Sequence, residues 1–97
     1  MRERDFQARL IKNLRDLLPG VVILKNDSSY MQGMPDLTIL YKDKWAVLEV
    51  KAKAGARHQP NQEYYVGLLN EMSYAAFVHP ENEGEVLDAI QETFGVS

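Results

Sequence analysis

Phe6, Leu10, Leu14, Leu17 and Leu18 recur at helical spacing in RERDFQARLIKNLRDLL (2–18), and Pro19-Gly20 stops the run. VVILK (21–25) changes the pattern to a β-branched run that predicts a buried strand. NDSSYMQG (26–33) has the composition of a loop. DLTILYK (36–42) and WAVLEVKAK (45–53) predict two further strands, with Asp43-Lys44 between them as a two-residue hairpin turn. AGARHQ (54–59) is a polar loop. Pro60 opens a second helix whose apolar stripe is Tyr65, Leu69 and Met72. YAAFVH (74–79) predicts a fourth strand. Asn82 followed by Glu85 has the form of a capping box, and Val86, Leu87, Ile90 and Phe94 give a third helix its inner face. The order helix, three strands, helix, strand, helix predicts one α/β domain over 1–97, with a mixed central sheet that begins as a meander.

Bulk composition narrows the class. Ninety-seven residues, 45% hydrophobic and 26% charged, suit a folded domain with one modest core. Cysteine is absent, which excludes disulfides and thiolate metal sites. The apolar runs are too short to span a membrane, and MRERDFQ lacks the apolar core of a signal peptide, so a cytoplasmic protein is expected. The net charge of −3 does not advertise a nucleic-acid partner, but its distribution is uneven. All 11 Lys and Arg fall in 1–70 with 8 of the 14 acids, whereas 71–97 carries the other 6 acids and no base.

The chemistry is concentrated in the second and third strands. Side chains alternate faces along a strand, so Trp45, Val47, Glu49, Lys51 and Lys53 share one face, and Ala46, Leu48, Val50 and Ala52 the other. Glu49 and Lys51 therefore point the same way, about 7 Å apart at Cα. A turn at Asp43-Lys44 pairs Lys42 with Trp45, Thr38 with Glu49, and Asp36 with Lys51. Asp36 then stands opposite Lys51 and diagonal to Glu49, on the same face. A turn of odd length would undo this. Two more polar residues lie on inward helical stripes near their helix starts. Glu3 falls within about 20° of Leu10 and Leu14 at about 100° per residue. Gln62 precedes Tyr65 by three and Leu69 by seven.

On an open sheet face, Asp36, Glu49 and Lys51 would be an ordinary salt-bridge cluster. Trp45 and Val47 predict that part of the face is covered. A close carboxylate pair under cover needs a cation or a proton. Oxygen ligands without His or Cys favour Mg²⁺ or Mn²⁺ over Zn²⁺, and Mg²⁺ commonly combines one or two carboxylates with phosphate oxygens. That donor set suits phosphodiester cleavage.

Pro35-Asp36 followed by Glu49-Val50-Lys51 on the next strand resembles the PD-(D/E)XK nuclease superfamily. The order of elements is similar to that superfamily's restriction-endonuclease-like core over the whole chain. LKND before GMPDL, and QPNQ at the second helix, most resemble the virus-type replication-repair nuclease (VRR-NUC) group, with Holliday junction resolvases more distant. The resemblance implies a Mg²⁺- or Mn²⁺-dependent endodeoxyribonuclease. Asp36 and Glu49 would bind the metal, with the main-chain carbonyl of Val50 as third ligand. Lys51 would orient or help deprotonate the attacking water. Gln62 would support the site from the side, and Glu3 would hold a metal-bound water or a second metal. A phage-like setting, in a bacterial or phage-infected host cell, suits the group, as does a role in DNA repair or recombination. The EMSY segment departs from relatives that carry Gly near the end of the second helix, which touches a helix cap rather than chemistry.

Lys25, Lys42, Lys44, Lys53, Arg57 and His58 are expected to form a basic rim that contacts DNA phosphates around the acidic site. His58 reads as a surface residue or phosphate contact rather than a metal ligand. Tyr30 and Met31 are placed to touch a nucleotide or a partner chain. So small a domain has little surface for reading sequence, so branched, flap or junction DNA is the expected substrate. A homodimer would let two sites act on two strands. The alternative is a non-catalytic DNA-binding or assembly module that keeps the nuclease fold. The residues do not distinguish DNA from RNA.

Overall fold

A computed structural model describes residues 1–96. Their order is α1 (Glu3–Leu17), β1 (Val22–Lys25), β2 (Leu37–Tyr41), β3 (Lys44–Val50), α2 (Gln62–Met72), β4 (Tyr74–Val78) and α3 (Glu83–Phe94). Among the described residues the four strands form one open mixed sheet in the order β1-β2-β3-β4. The first three strands are an antiparallel meander, and β4 runs parallel to β3 after the α2 connection. Among the described residues, no helix is long and apolar enough to cross a membrane.

Strand parity sorts the apolar residues into two layers. Leu37, Ile39, Ala46, Leu48, Val50 and Val78 pack with Phe6, Leu10 and Leu14 of α1 and Val86, Ile90 and Phe94 of α3. This is the main core, and burying each large aliphatic side chain in it stabilises by about 1.5–3 kcal/mol. On the other face, Val47 and Ala75 meet Val66 of α2, with Trp45, Leu69 and Phe77 around them. The face that carries Glu49 is therefore covered, but only over β3 and β4.

The α2 stripe differs from expectation. Pro60 and Asn61 lie in a turn before the helix, and Asn61 takes a left-handed conformation with φ 69°. The buried positions are Gln62 and Val66, one turn apart, while Met72 is exposed at the far end. The β1 strand is not buried. It is a sheet edge, with Val22 and Leu24 exposed on the half of the sheet that α2 leaves open. A β-branched run marks a strand without saying how many neighbours it has.

The hairpin turn is Lys42-Asp43, one residue earlier than predicted, and Tyr41 pairs with Lys44. Lys42 takes φ 57°, the positive φ that tight hairpin turns require. The register moves by two residues, so Thr38 faces Val47 rather than Glu49. An even slip preserves parity, and Asp36, Glu49 and Lys51 keep a common face. The third strand ends at Val50, not Lys53, because Lys51 onward turns away into the loop.

Asn82 does stand before α3, but makes no capping box. Its side chain turns back instead, accepting from the His79 N–H (2.8 Å) and donating to the Phe77 carbonyl (3.0 Å). The helix closes at Gly95 in the left-handed region (φ 71°), where Gly95 and Val96 N–H groups bond the Glu92 and Gln91 carbonyls.

Candidate functional site

The register puts Asp36 one rung beyond Leu37–Leu48, across from Glu49 rather than Lys51. There the ladder stops and the Asp36 side chain replaces it, with Oδ2 accepting the Val50 N–H at 2.8 Å. On the other side of the same strand, the Lys51 N–H donates to the Val78 carbonyl of β4 at 2.8 Å. A trans peptide plane directs its C=O opposite to its N–H. The Val50 carbonyl therefore points away from β4, toward Asp36. Two carboxylates and one main-chain carbonyl thus converge at the end of β2 and β3.

Asn26 holds Asp36 from behind. Its N–H donates to the Asp36 carbonyl (2.7 Å), and its side-chain amide donates to the Pro35 carbonyl (2.8 Å) and exchanges hydrogen bonds with Thr38 Oγ1. Gly33 sets the loop that follows. It is buried at φ 91°, and a Cβ there would lie 2.6 Å from Asn61 Cβ and 2.8 Å from the Pro60 carbonyl. The loop before β2 can press on the turn before α2 only because position 33 has no side chain.

That contact delivers Gln62 to the site. Its Nε2 donates to Glu49 Oε2 (2.8 Å), while its Oε1 accepts from Lys51 Nζ (2.8 Å) and from the Gln59 N–H (2.8 Å). Lys51 Nζ also donates to the Arg57 carbonyl (3.1 Å) and lies 3.7 Å from Glu49 Oε2. Glu49 is 3% exposed and Lys51 6%, so both are taken out of water. Burial is the largest cause that pushes the Glu49 carboxyl up, to about 8, with the charge of Asp36 next and Lys51 opposing. The other carboxyl oxygen, Oε1, is buried with no hydrogen-bond partner. A buried polar atom without a partner is costly and calls for a ligand or a proton.

These groups line a cleft of about 530 Å³ with Glu3, Gly33 and Arg57. Glu3 is the first residue of α1, and its carboxyl is raised by burial and by Asp36. Among the described residues, no group of three His, Asp or Glu side chains lies close enough to hold a metal by itself. Glu3 therefore borders the pair without joining it.

The expected basic rim is only partly assembled. Arg57 lines the cleft, and Lys25 ends β1 beside Asn26 at the same end of the sheet. Lys53 is exposed in the loop that leads to Arg57. Lys42 and Lys44 are elsewhere. They flank the hairpin turn, and Lys44 lies five residues from Glu49 along the strand, about 17 Å away. Lys44 pairs with Asp43, and Lys42 lies over the Tyr41 ring. His58 stacks flat on Phe77, 4.0 Å between ring centres, and its Nδ1 is 2.9 Å from Glu63 Oε1. Sequence reasoning gave no role to Asn26 or Gly33. Their only signal was position, in the LKND and GMPD segments around Asp36.

The chain matches no family model, no curated protein and no solved structure.

Proposed function

We propose that this chain is a Mg²⁺- or Mn²⁺-dependent nuclease that hydrolyses DNA phosphodiester bonds, built on a restriction-endonuclease-like core. The observation that carries the reading is the unpartnered Glu49 Oε1, buried beside Asp36 where the Val50 carbonyl also points. Oxygen donors of this kind, two of them carboxylates, fit a hard divalent cation. Asp36, Glu49 and the Val50 carbonyl would hold it, with water completing the shell and Glu3 reaching it through water. When bound, it supplies Lewis-acid polarisation of a phosphoryl oxygen and a lowered pKa for the attacking water.

The chain's own residues do the remaining work. Lys51 brings a buried positive charge that offsets charge growing on the phosphate. By exchanging its contact with the Arg57 carbonyl, it offers one N–H to orient the attacking water. Gln62 fixes Lys51 and Glu49 relative to each other through one amide group. Arg57 attracts the phosphate backbone at the cleft, with Lys25 at the same end of the sheet adding positive charge. So small a domain has little surface for reading sequence, which favours recognition of DNA shape, with branched, flap or junction substrates acted on by a homodimer in a bacterial or phage-infected cell.

Nicking of supercoiled and branched DNA in Mg²⁺ or Mn²⁺ tests the proposal, with Glu49→Ala and EDTA as controls. Wild type should cut, and both controls should not. Equal cutting by wild type and Glu49→Ala would remove the catalytic assignment and leave a DNA-binding or assembly module.

A further inference from the structure

A second cleft, of about 390 Å³, adjoins the acidic one and shares Arg57 and Gln59 with it. Two ring side chains, His58 and Tyr64, stand in its walls beside Arg57 and Glu63. On one side is the His58 ring, lying flat on Phe77 with 4° between the planes. His58 Nδ1 also lies 2.9 Å from Glu63 Oε1, a second contact that orients the ring. Phe77 covers one face of the imidazole. His58 lines the cleft, and its second face is not covered by Phe77. Tyr64 also lines the cleft, 64% exposed, and is braced edge-on by Tyr65 at 5.1 Å. Two aromatic side chains are thus held in place around an open slot, with a guanidinium at the junction to the carboxylates.

We infer that this second cleft receives an unpaired nucleobase of the strand whose phosphate enters the acidic cleft. This inference rests on the nuclease reading and names its substrate more closely. Flat rings with a free face bind bases by stacking, and every base has such a face. Bases inside a duplex have theirs covered by their neighbours, so a stacking slot selects a single strand, a flap or a frayed end. Arg57 faces both clefts, where it meets the phosphate that joins the stacked nucleotide to the next. Glu63 also lines the slot, where its carboxylate contacts His58 Nδ1 and leaves Arg57 as the group that meets a phosphate.

The test uses single-stranded oligonucleotides carrying 2-aminopurine, whose fluorescence falls on stacking, with the full chain in EDTA so that nothing is cut. The expected result is quenching at a defined position for single strands and flaps, none for blunt duplex, and about tenfold weaker binding in Tyr64→Ala and His58→Ala. Both substitutions are at the surface, and unchanged melting temperatures verify that the fold is kept. In Mg²⁺, Tyr64→Ala should raise KM for a flap substrate while kcat holds. If cleavage by wild type is intact but quenching is absent, or is as strong in both variants as in wild type, the base slot is overturned and the nuclease reading stands. If quenching follows the prediction but wild type cuts nothing, the slot stands and the nuclease reading falls.

Discussion

The Asp36 carboxylate accepts the main-chain N–H of Val50 at 2.8 Å, at the point where the β2–β3 ladder ends. Asp36 therefore has a structural duty alongside any ligand it binds. Asp36→Ala leaves the Val50 N–H without this acceptor and should cost about 1–3 kcal/mol of stability. Asp36→Asn retains an accepting oxygen and should stay near wild-type stability, yet lose metal-dependent cleavage. Chemical denaturation of the two variants beside a nicking assay checks both halves.

Glu49 gives the metal-free protein a pH dependence of definite sign. Its carboxyl is raised from 4.5 to about 8, so the folded chain holds a proton that the unfolded chain has released. The associated stability is fully present below about pH 4.5 and is lost as pH rises through about 8. In EDTA the melting temperature should fall across this window, and Glu49→Gln should flatten the slope. Affinity for Mn²⁺ should rise over the same range, since the ion competes with the proton. A slope that survives in Glu49→Gln would assign the titration to another group.

Gln62 is predicted to matter for stability as well as for activity. Gln62→Ala removes the donor to Glu49 and the acceptor for Lys51, leaving two buried polar groups short of a partner. A loss of about 1–3 kcal/mol is expected, with lowered cleavage. Gln62→Glu should restore the acceptor for Lys51 but set a carboxylate against Glu49, raising the metal-free carboxyl further. Thermal melts with and without Mn²⁺ separate the two variants.

Gly33→Ala should destabilise more than any surface substitution. The added methyl group meets Asn61 and the Pro60 carbonyl at under 3 Å, on a backbone at φ 91°. About 2 kcal/mol or more should be lost, and Gln62 should shift out of register with Lys51. Denaturation and cleavage should both register the change. Unchanged behaviour would mean that the two loops are free to part.

Much of this site could be read before the fold was known, because strand parity is robust. The hairpin turn lay one residue from its predicted place, yet the register moved by two and the polar triad stayed on one face. The misplacement has a local cause: the turn sets Lys42 at positive φ, where neither Gly nor Asn marks the position. Gln62 was visible because a polar residue interrupted an inward helical stripe. Asn26 and Gly33 were not, because their roles depend on loops that meet only in the folded chain. The grouping of Lys42 and Lys44 with the basic rim failed for a related reason, since charge counts carry no direction along a strand. The exposure of β1 depends on what lies beside and above it, and residue types alone do not encode that.

The most direct test of the account is a crystal structure of the protein soaked in Mn²⁺, with anomalous scattering used to locate the ion. One peak bridging Asp36 and Glu49 is expected, with the Val50 carbonyl in its coordination shell and no peak in Glu49→Gln. An ion bound elsewhere, or an empty cleft at saturating Mn²⁺, would contradict it.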